Sequence, residues 1–212
     1  HGKKRAIDLG VQKSSSEFVM IMDADISFKD VFFSSIKKSI DLNHDLYLTS
    51  VVEKNGIVWS RILSYSMSVI SIGMANIGIP ILANGAGLIF RRKSYNELMP
   101  FNSNFNISSG DDMFLLNSFS SNKRSIKTLF NTNLFIETQG SKDIQDMVER
   151  SLRWSGKMKM NGLLTTKLVG LLVIICNLII IPLILLSIFK FQWLFFLPLL
   201  LKLLPDLLVL VT

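Results

Sequence analysis

Apolar and polar positions along the chain switch repeatedly between the period of a helix and that of a strand. Residues 2–13 have helical spacing, with Ala6, Leu9, Gly10 and Lys13 three to four apart. Phe18–Met22 is a short apolar run of the kind a buried strand shows, and it ends at Asp23. Asp30 predicts the N-cap of a helix running to about residue 42, with Val31, Phe32, Ile36 and Ile40 on its apolar side. Residues 47–52 read as a strand, followed by an Asn55-Gly56 turn. Residues 57–79 form a long, weakly polar helical segment, and 82–91 alternate like a strand after a glycine-rich entry. Residues 111–120 are helical, 128–137 a strand, and 142–160 an amphipathic helix. Alternating strands and helices predict an α/β domain over residues 1–160, with helices flanking a mainly parallel sheet.

The pattern then changes. Residues 168–189 hold no charged side chain across 22 positions, between Lys167 and Lys190. At about 1.5 Å per residue, such a helix spans a hydrocarbon core of roughly 30 Å. Pro182 lies mid-span, where it predicts a kink. Residues 191–212 form a second apolar stretch, interrupted by Lys202, Pro205 and Asp206, with Lys202 and Asp206 four apart on one helix face. Residues 161–212 are therefore expected to be a transmembrane hairpin.

Charge supports a membrane over a nucleic acid. The formal charge is +7, from 23 Lys and Arg against 16 Asp and Glu. Arg150, Arg153, Lys157, Lys159 and Lys167 gather just before the apolar tail, where the positive-inside rule puts cations. That places the preceding domain on the cytoplasmic side of an inner or plasma membrane. The basic residues are not interleaved with an aromatic platform and no nucleic-acid-binding motif occurs. Cys176, the single cysteine, sits within the apolar stretch, with no partner for a disulfide or a metal site. The chain opens on His1 and stops inside an apolar run, so it is read as part of a longer protein whose first strands precede it.

Four constellations carry chemistry. Asp23-Ala24-Asp25 closes a strand, and in open α/β sheets ligands bind beyond the carboxyl ends of strands. Hard carboxylate oxygens suit Mg²⁺ or Mn²⁺ bridging to a diphosphate, although a solvated acidic turn has the same spacing. Ser109-Gly110-Asp111-Asp112 opens a helix, so its acids serve either as first-turn charge or as a general base. Arg150, Arg153, Trp154 and Lys157 share one helical face, fit to meet anionic lipid or to grip a diphosphate. Gly85, within Asn84-Gly85-Ala86-Gly87, lets backbone approach a ligand or marks a tight strand entry.

In this order and context, the series DAD, NGAGLIFRR, SGDD and a basic R-W helix before apolar spans resembles the family-2 glycosyltransferases. These are inverting enzymes of the GT-A fold, and the resemblance is closest to the membrane-bound branch of cellulose and hyaluronan synthases and bacterial cell-envelope transferases. It covers residues 1–160 and includes the opening Gly2-Lys3-Lys4-Arg5-Ala6. The resemblance implies a nucleotide-sugar donor, a glycan or lipid-linked acceptor, and Mg²⁺ or Mn²⁺. It makes Asp23 and Asp25 the metal-binding pair, Asp112 the general base and Asp111 its acidic neighbour. Arg153 and Trp154 match the end of a Q-x-x-R-W motif whose glutamine position is Arg150 here. Two other classes stay open on the residues alone: a membrane-anchored α/β scaffold, and a metal-dependent phosphoryl-transfer enzyme.

Overall fold

The computed structural model describes residues 2–107, 109–159, 167–168 and 171. The chain divides into two compact units, His1–Leu163 and Leu164–Thr212, and nearly all the described residues belong to the first. Elements follow in the order α1 (Lys3–Lys13), β1 (Phe18–Met22), α2 (Phe32–Ser39), β2 (Leu46–Thr49), β3 (Val51–Lys54) and α3 (Val58–Asn76). Then come β4 (Gly87–Arg91), α4 (Arg92–Leu98), α5 (Asp111–Ser121), β5 (Ile126–Leu129), β6 (Ile136–Gln139) and α6 (Ile144–Lys159).

Four strands form one sheet in the order β1-β4-β2-β5, and β3 and β6 form a second, two-stranded one. The expectation of a mainly parallel sheet is corrected. β4 runs antiparallel to both β1 and β2, whereas β2–β5 and β3–β6 are parallel, so the fold is mixed α/β. Hydrophobic period cannot show strand direction, because an inner strand buried on both faces reads alike either way. β2 and β4 are such strands, buried at nearly every position.

Alternate side chains feed two cores. Leu46, Leu48, Leu88 and Phe90 point to one face, where they meet Val11 of α1, Tyr95 of α4 and Leu115, Leu116 and Phe119 of α5. Tyr47 and Ile89 point to the other, against Phe32 and Ile36 of α2 and Ile136 of β6. Burying each such side chain is worth about 1.5–3 kcal/mol, which is why both cores recruit helices.

Two expected strands are each divided. Residues 47–52 change sheets at Ser50, whose carbonyl accepts from Ile136 N at 2.9 Å: Thr49 before it pairs with Leu129 of β5, and Val51 after it with Ile136 of β6. Residues 128–137 break at Asn131, whose side chain accepts from Asn133 N and whose carbonyl accepts from Leu134 N, an Asx turn built by asparagine. Asp30 does not cap α2: Val31 holds that position with no side-chain bond, and the helix ends at Ser39 rather than near residue 42. The strand expected over 82–91 is confined to β4, and α4 was not anticipated.

Helix α3 stops where Gly78 takes a left-handed φ of 82° and donates to Ala75 O, a glycine-dependent C-terminal turn. Among the described residues no helix is long and apolar enough to cross a membrane. The expected spans over 168–189 and 191–212 lie outside the described residues except for 168 and 171.

Candidate active site

β1 ends at Met22, which pairs with Gly87 at the opening of the antiparallel β4. Asp23 and the loop 82–86 that feeds β4 thus share one end of the sheet. A Cβ at Gly87 would overlap Thr49 Oγ1 and Ile136 Cδ1, so the glycine lets β2, β4 and β6 close together there. Helix α5 arrives beside them. Gly110 precedes it at a φ of 82°, and Asp111 and Asp112 occupy its first turn, where the helix dipole favours negative charge.

One lysine joins these parts. Lys3 Nζ donates to Asp23 Oδ1 at 2.6 Å and lies 3.2 Å from Asp111 Oδ2. Burial alone would lower the Lys3 pKa, but the Asp23 and Asp111 carboxylates outweigh it and hold the ammonium above its ordinary value. Gly85 N donates to Asp112 Oδ2 at 3.3 Å, and a Cβ at Gly85 would stand 3.3 Å from both Asp111 Oδ2 and Lys3 Nζ. Asp112 Oδ1 also accepts from Met113 N at 2.9 Å. Asp111 and Asp112 are only 8% and 5% exposed, so each needs this compensation.

Lys4 supports the arrangement from behind. It is 5% exposed, donates to the carbonyls of Asn104 and Ile107, and lies over the Phe114 ring. Burial pushes its pKa below the ordinary value, opposed by Asp111 and Asp112. Residue-by-residue reading gave Lys3 and Lys4 no role. Their signal was electrostatic: two cations in the first turn of a helix oppose its dipole and call for acids supplied from elsewhere.

The remaining candidates are placed differently. Asp25 is exposed in the turn after β1, without a hydrogen bond or ion pair among the described residues. Arg150 is tied to its surroundings: it donates to Gln139 O at 2.8 Å and pairs with Asp146 at 3.2 Å and with the buried Glu53 at 3.7 Å. None of these bonds joins it to Asp23, Asp111 or Asp112. Glu53 also accepts from Ser60 Oγ and Ser141 N, so one carboxylate links β3, the start of α3 and the approach to α6. Arg153 is exposed on α6, and Trp154 follows it in the same helix.

Beside Asp112 lies a cleft of about 80 Å³, walled by Ser64, Met67, Ser68 and Ser71 of α3 and by Leu82 and Asn84. Among the described residues no group of three acidic, histidine or cysteine side chains forms a metal cage. An ion that takes only one or two carboxylates and completes its shell with water and substrate phosphate does not need such a cage.

No family model matches the chain, and no curated protein is significantly similar to it. Among solved structures, the glucosyl-3-phosphoglycerate synthase of Mycobacterium tuberculosis in complex with phosphoglyceric acid is 12% identical, with a TM-score of 0.44, covering 76% of this chain and 55% of that one. A structure described as a mycobacterial protein is also 12% identical, with a TM-score of 0.34, covering 69% of this chain and 47% of the other. This chain spans about half the length of those two. Likenesses of that degree decide neither fold nor activity.

Proposed function

We propose that this chain is part of an inverting glycosyltransferase with a GT-A-like domain, of the family-2 kind, held at a membrane. It moves a sugar from a nucleotide-diphosphate donor to a hydroxyl of a glycan or lipid-linked acceptor. The observation that carries this reading is the convergence of Asp23, Asp111 and Gly85 on Lys3 Nζ at one end of the sheet, with Asp112 bonded to Gly85 N beside them.

Asp25, exposed and without an ion pair among the described residues, and Asp23 would hold Mg²⁺ or Mn²⁺ at the donor diphosphate. Such an ion neutralises phosphate charge. Lys3 adds a fixed positive charge against Asp23 and Asp111, and exposed Arg153 is assigned to the departing diphosphate. Trp154 is assigned to the acceptor platform.

Asp112 is the general base. Its two oxygens are anchored by Gly85 N and Met113 N, which orients the carboxylate. As the acceptor oxygen bonds to the anomeric carbon, the opposite C–O bond breaks and its electron pair leaves with the diphosphate. The acceptor proton ends on Asp112. A single displacement of this kind inverts the anomeric centre.

The uncharged run 168–189 and the basic residues before it support attachment to an inner or plasma membrane with the catalytic domain cytoplasmic. The test is nucleoside diphosphate release by the full-length protein in membranes, with Mn²⁺ or Mg²⁺ and a donor panel. Asp112→Asn should bind donor and lose about 10²–10⁴-fold in turnover. Asp25→Ala should lose metal-dependent donor binding. Wild-type rates in both variants would remove the assignment.

A further inference from the structure

We infer that Glu53 is a positioning residue: through Arg150 and the Ser141 amide, its buried carboxylate fixes where α6, and with it Arg153, stands on the domain. The part given to Arg153 rests on the transferase reading; the hold on α6 does not. Little else secures this helix. Ile144, Val148 and Leu152, at successive turns, are 65%, 46% and 67% exposed, and none of its described side chains belongs to either apolar core. The strand before it gives a narrow footing. β6 pairs with β3 over four residues, with one further bridge from Glu137 to Ser27. Two strands make a marginal sheet by themselves.

Polar contacts at Glu53 supply what apolar packing does not. Its side chain is 4% exposed. Oε2 accepts from Ser60 Oγ at the start of α3 and from Ser141 N at 3.3 Å, while Oε1 lies 3.7 Å from Arg150 Nη1. The same Nη1 donates to Gln139 O at 2.8 Å. Around them the turns that follow β3 and β6 are in backbone contact. Gly140 N donates to Lys54 O at 2.9 Å and Ile57 N to Ser141 O at 3.0 Å, and a Cβ at Gly140 would stand 2.4 Å from Gly56 N and Cα. A buried charge pair adds little net stability over apolar side chains of the same volume, but few arrangements satisfy both charges. Arg153 lies one turn beyond Arg150 in the same helix, so a guanidinium seated at Glu53 also places Arg153. That gives a reason for arginine at the position where Q-x-x-R-W has glutamine: a buried carboxylate calls for a cation.

The test uses the full-length protein in nanodiscs. Hydrogen exchange reads α6 against α5 without reference to activity, and steady-state kinetics with Mn²⁺ and a nucleotide-sugar donor reads kcat/KM. Glu53→Gln keeps the shape and an acceptor oxygen but gives up the charge. It should speed exchange in α6 at least about tenfold with α5 unchanged. It should also lower kcat/KM at least about threefold, and by less than that once Arg153→Ala is present, because the two residues act through one helix. Arg150→Lys, which keeps the charge and loses the planar fork, should show the same pattern with smaller shifts. Faster exchange confined to α6 upholds the hold on the helix even if no donor turns over, an outcome that removes the transferase reading alone. Wild-type exchange in α6 of Glu53→Gln, exchange that quickens equally in α5, or a kcat/KM loss fully additive with that of Arg153→Ala overturns the inference.

Discussion

Gly85 gives its backbone amide to Asp112 Oδ2 across 3.3 Å, and it has no side chain to hold the two apart. A Cβ there would meet Asp111 Oδ2 and Lys3 Nζ at 3.3 Å and Asp112 Cβ at 3.5 Å. Methyl contacts that close are met by small shifts of flexible ends, but a branched side chain must push the acids away. Gly85→Val should therefore cut turnover at least tenfold, since displacing a base by about 1 Å costs on the order of 10²-fold. The thermal midpoint should move little, because the cores lie elsewhere. Steady-state kinetics beside thermal unfolding checks this, and an unfolded variant with no active fraction would contradict it.

Lys3 is predicted to matter for donor affinity and, through Asp111, for stability. Its pair with Asp23 is about 40% exposed on both sides, and pairs of that exposure contribute about 1 kcal/mol or less, but the Asp111 side chain is only 10% exposed and loses its cation with Lys3. Lys3→Ala should raise the donor KM several-fold and lower the unfolding free energy by about 1–3 kcal/mol. A large loss of stability with unchanged KM would make Lys3 a purely structural residue.

Arg150 and Glu53 should behave in the opposite sense. The Glu53 side chain is 4% exposed, so removing its cation leaves a buried charge poorly compensated. Arg150→Gln, which places glutamine at the first position of the R-x-x-R-W sequence, should destabilise the domain by about 2 kcal/mol, less than for a fully buried pair because Arg150 is partly exposed. Adding Glu53→Gln should recover part of that loss. Denaturant unfolding of the four proteins gives the coupling directly, and additive effects would mean that the two residues do not interact.

Asp41 sets an acid-side limit on stability. A hydrogen bond from Lys127, then one with His44, holds its carboxyl well below the usual carboxylate range, so its folded pKa lies below its unfolded value. A depressed carboxylate stabilises the fold above the unfolded pKa of about 3.8 and loses that contribution as pH falls through the folded pKa. Asp41→Asn should therefore lower the thermal midpoint at pH 7, by a gap that begins to narrow below about pH 4 and closes only once pH has fallen through the depressed folded pKa. A gap that does not narrow at all between about pH 4 and pH 2 would show that the ion pairs contribute nothing.

How far the sequence reaches is clear from particular elements. The apolar run Phe18–Met22, the long α3 and the amphipathic α6 were legible because each has enough periodic residues to define a face. The boundaries of α2 were not, since its start at Phe32 uses no side-chain cap and Asp30 leaves no trace in the capping geometry. Ser50 and Asn131 each divide an apparently continuous strand, and only pairing with different partners reveals the division.

The same division runs through the candidate site. By itself the sequence determined which acids are available, that Asp23 closes a strand, and that Asp111 and Asp112 open a helix, because these are local properties of a few neighbouring residues. Tertiary structure alone decided that Lys3 stands between Asp23 and Asp111, that Gly85 abuts Asp112, and that Arg150 is spent on Glu53. Those contacts join segments far apart in the chain, and they follow from strand order and from the reversed direction of β4. Hydrophobic period records which face of an element is buried, but not which element covers it.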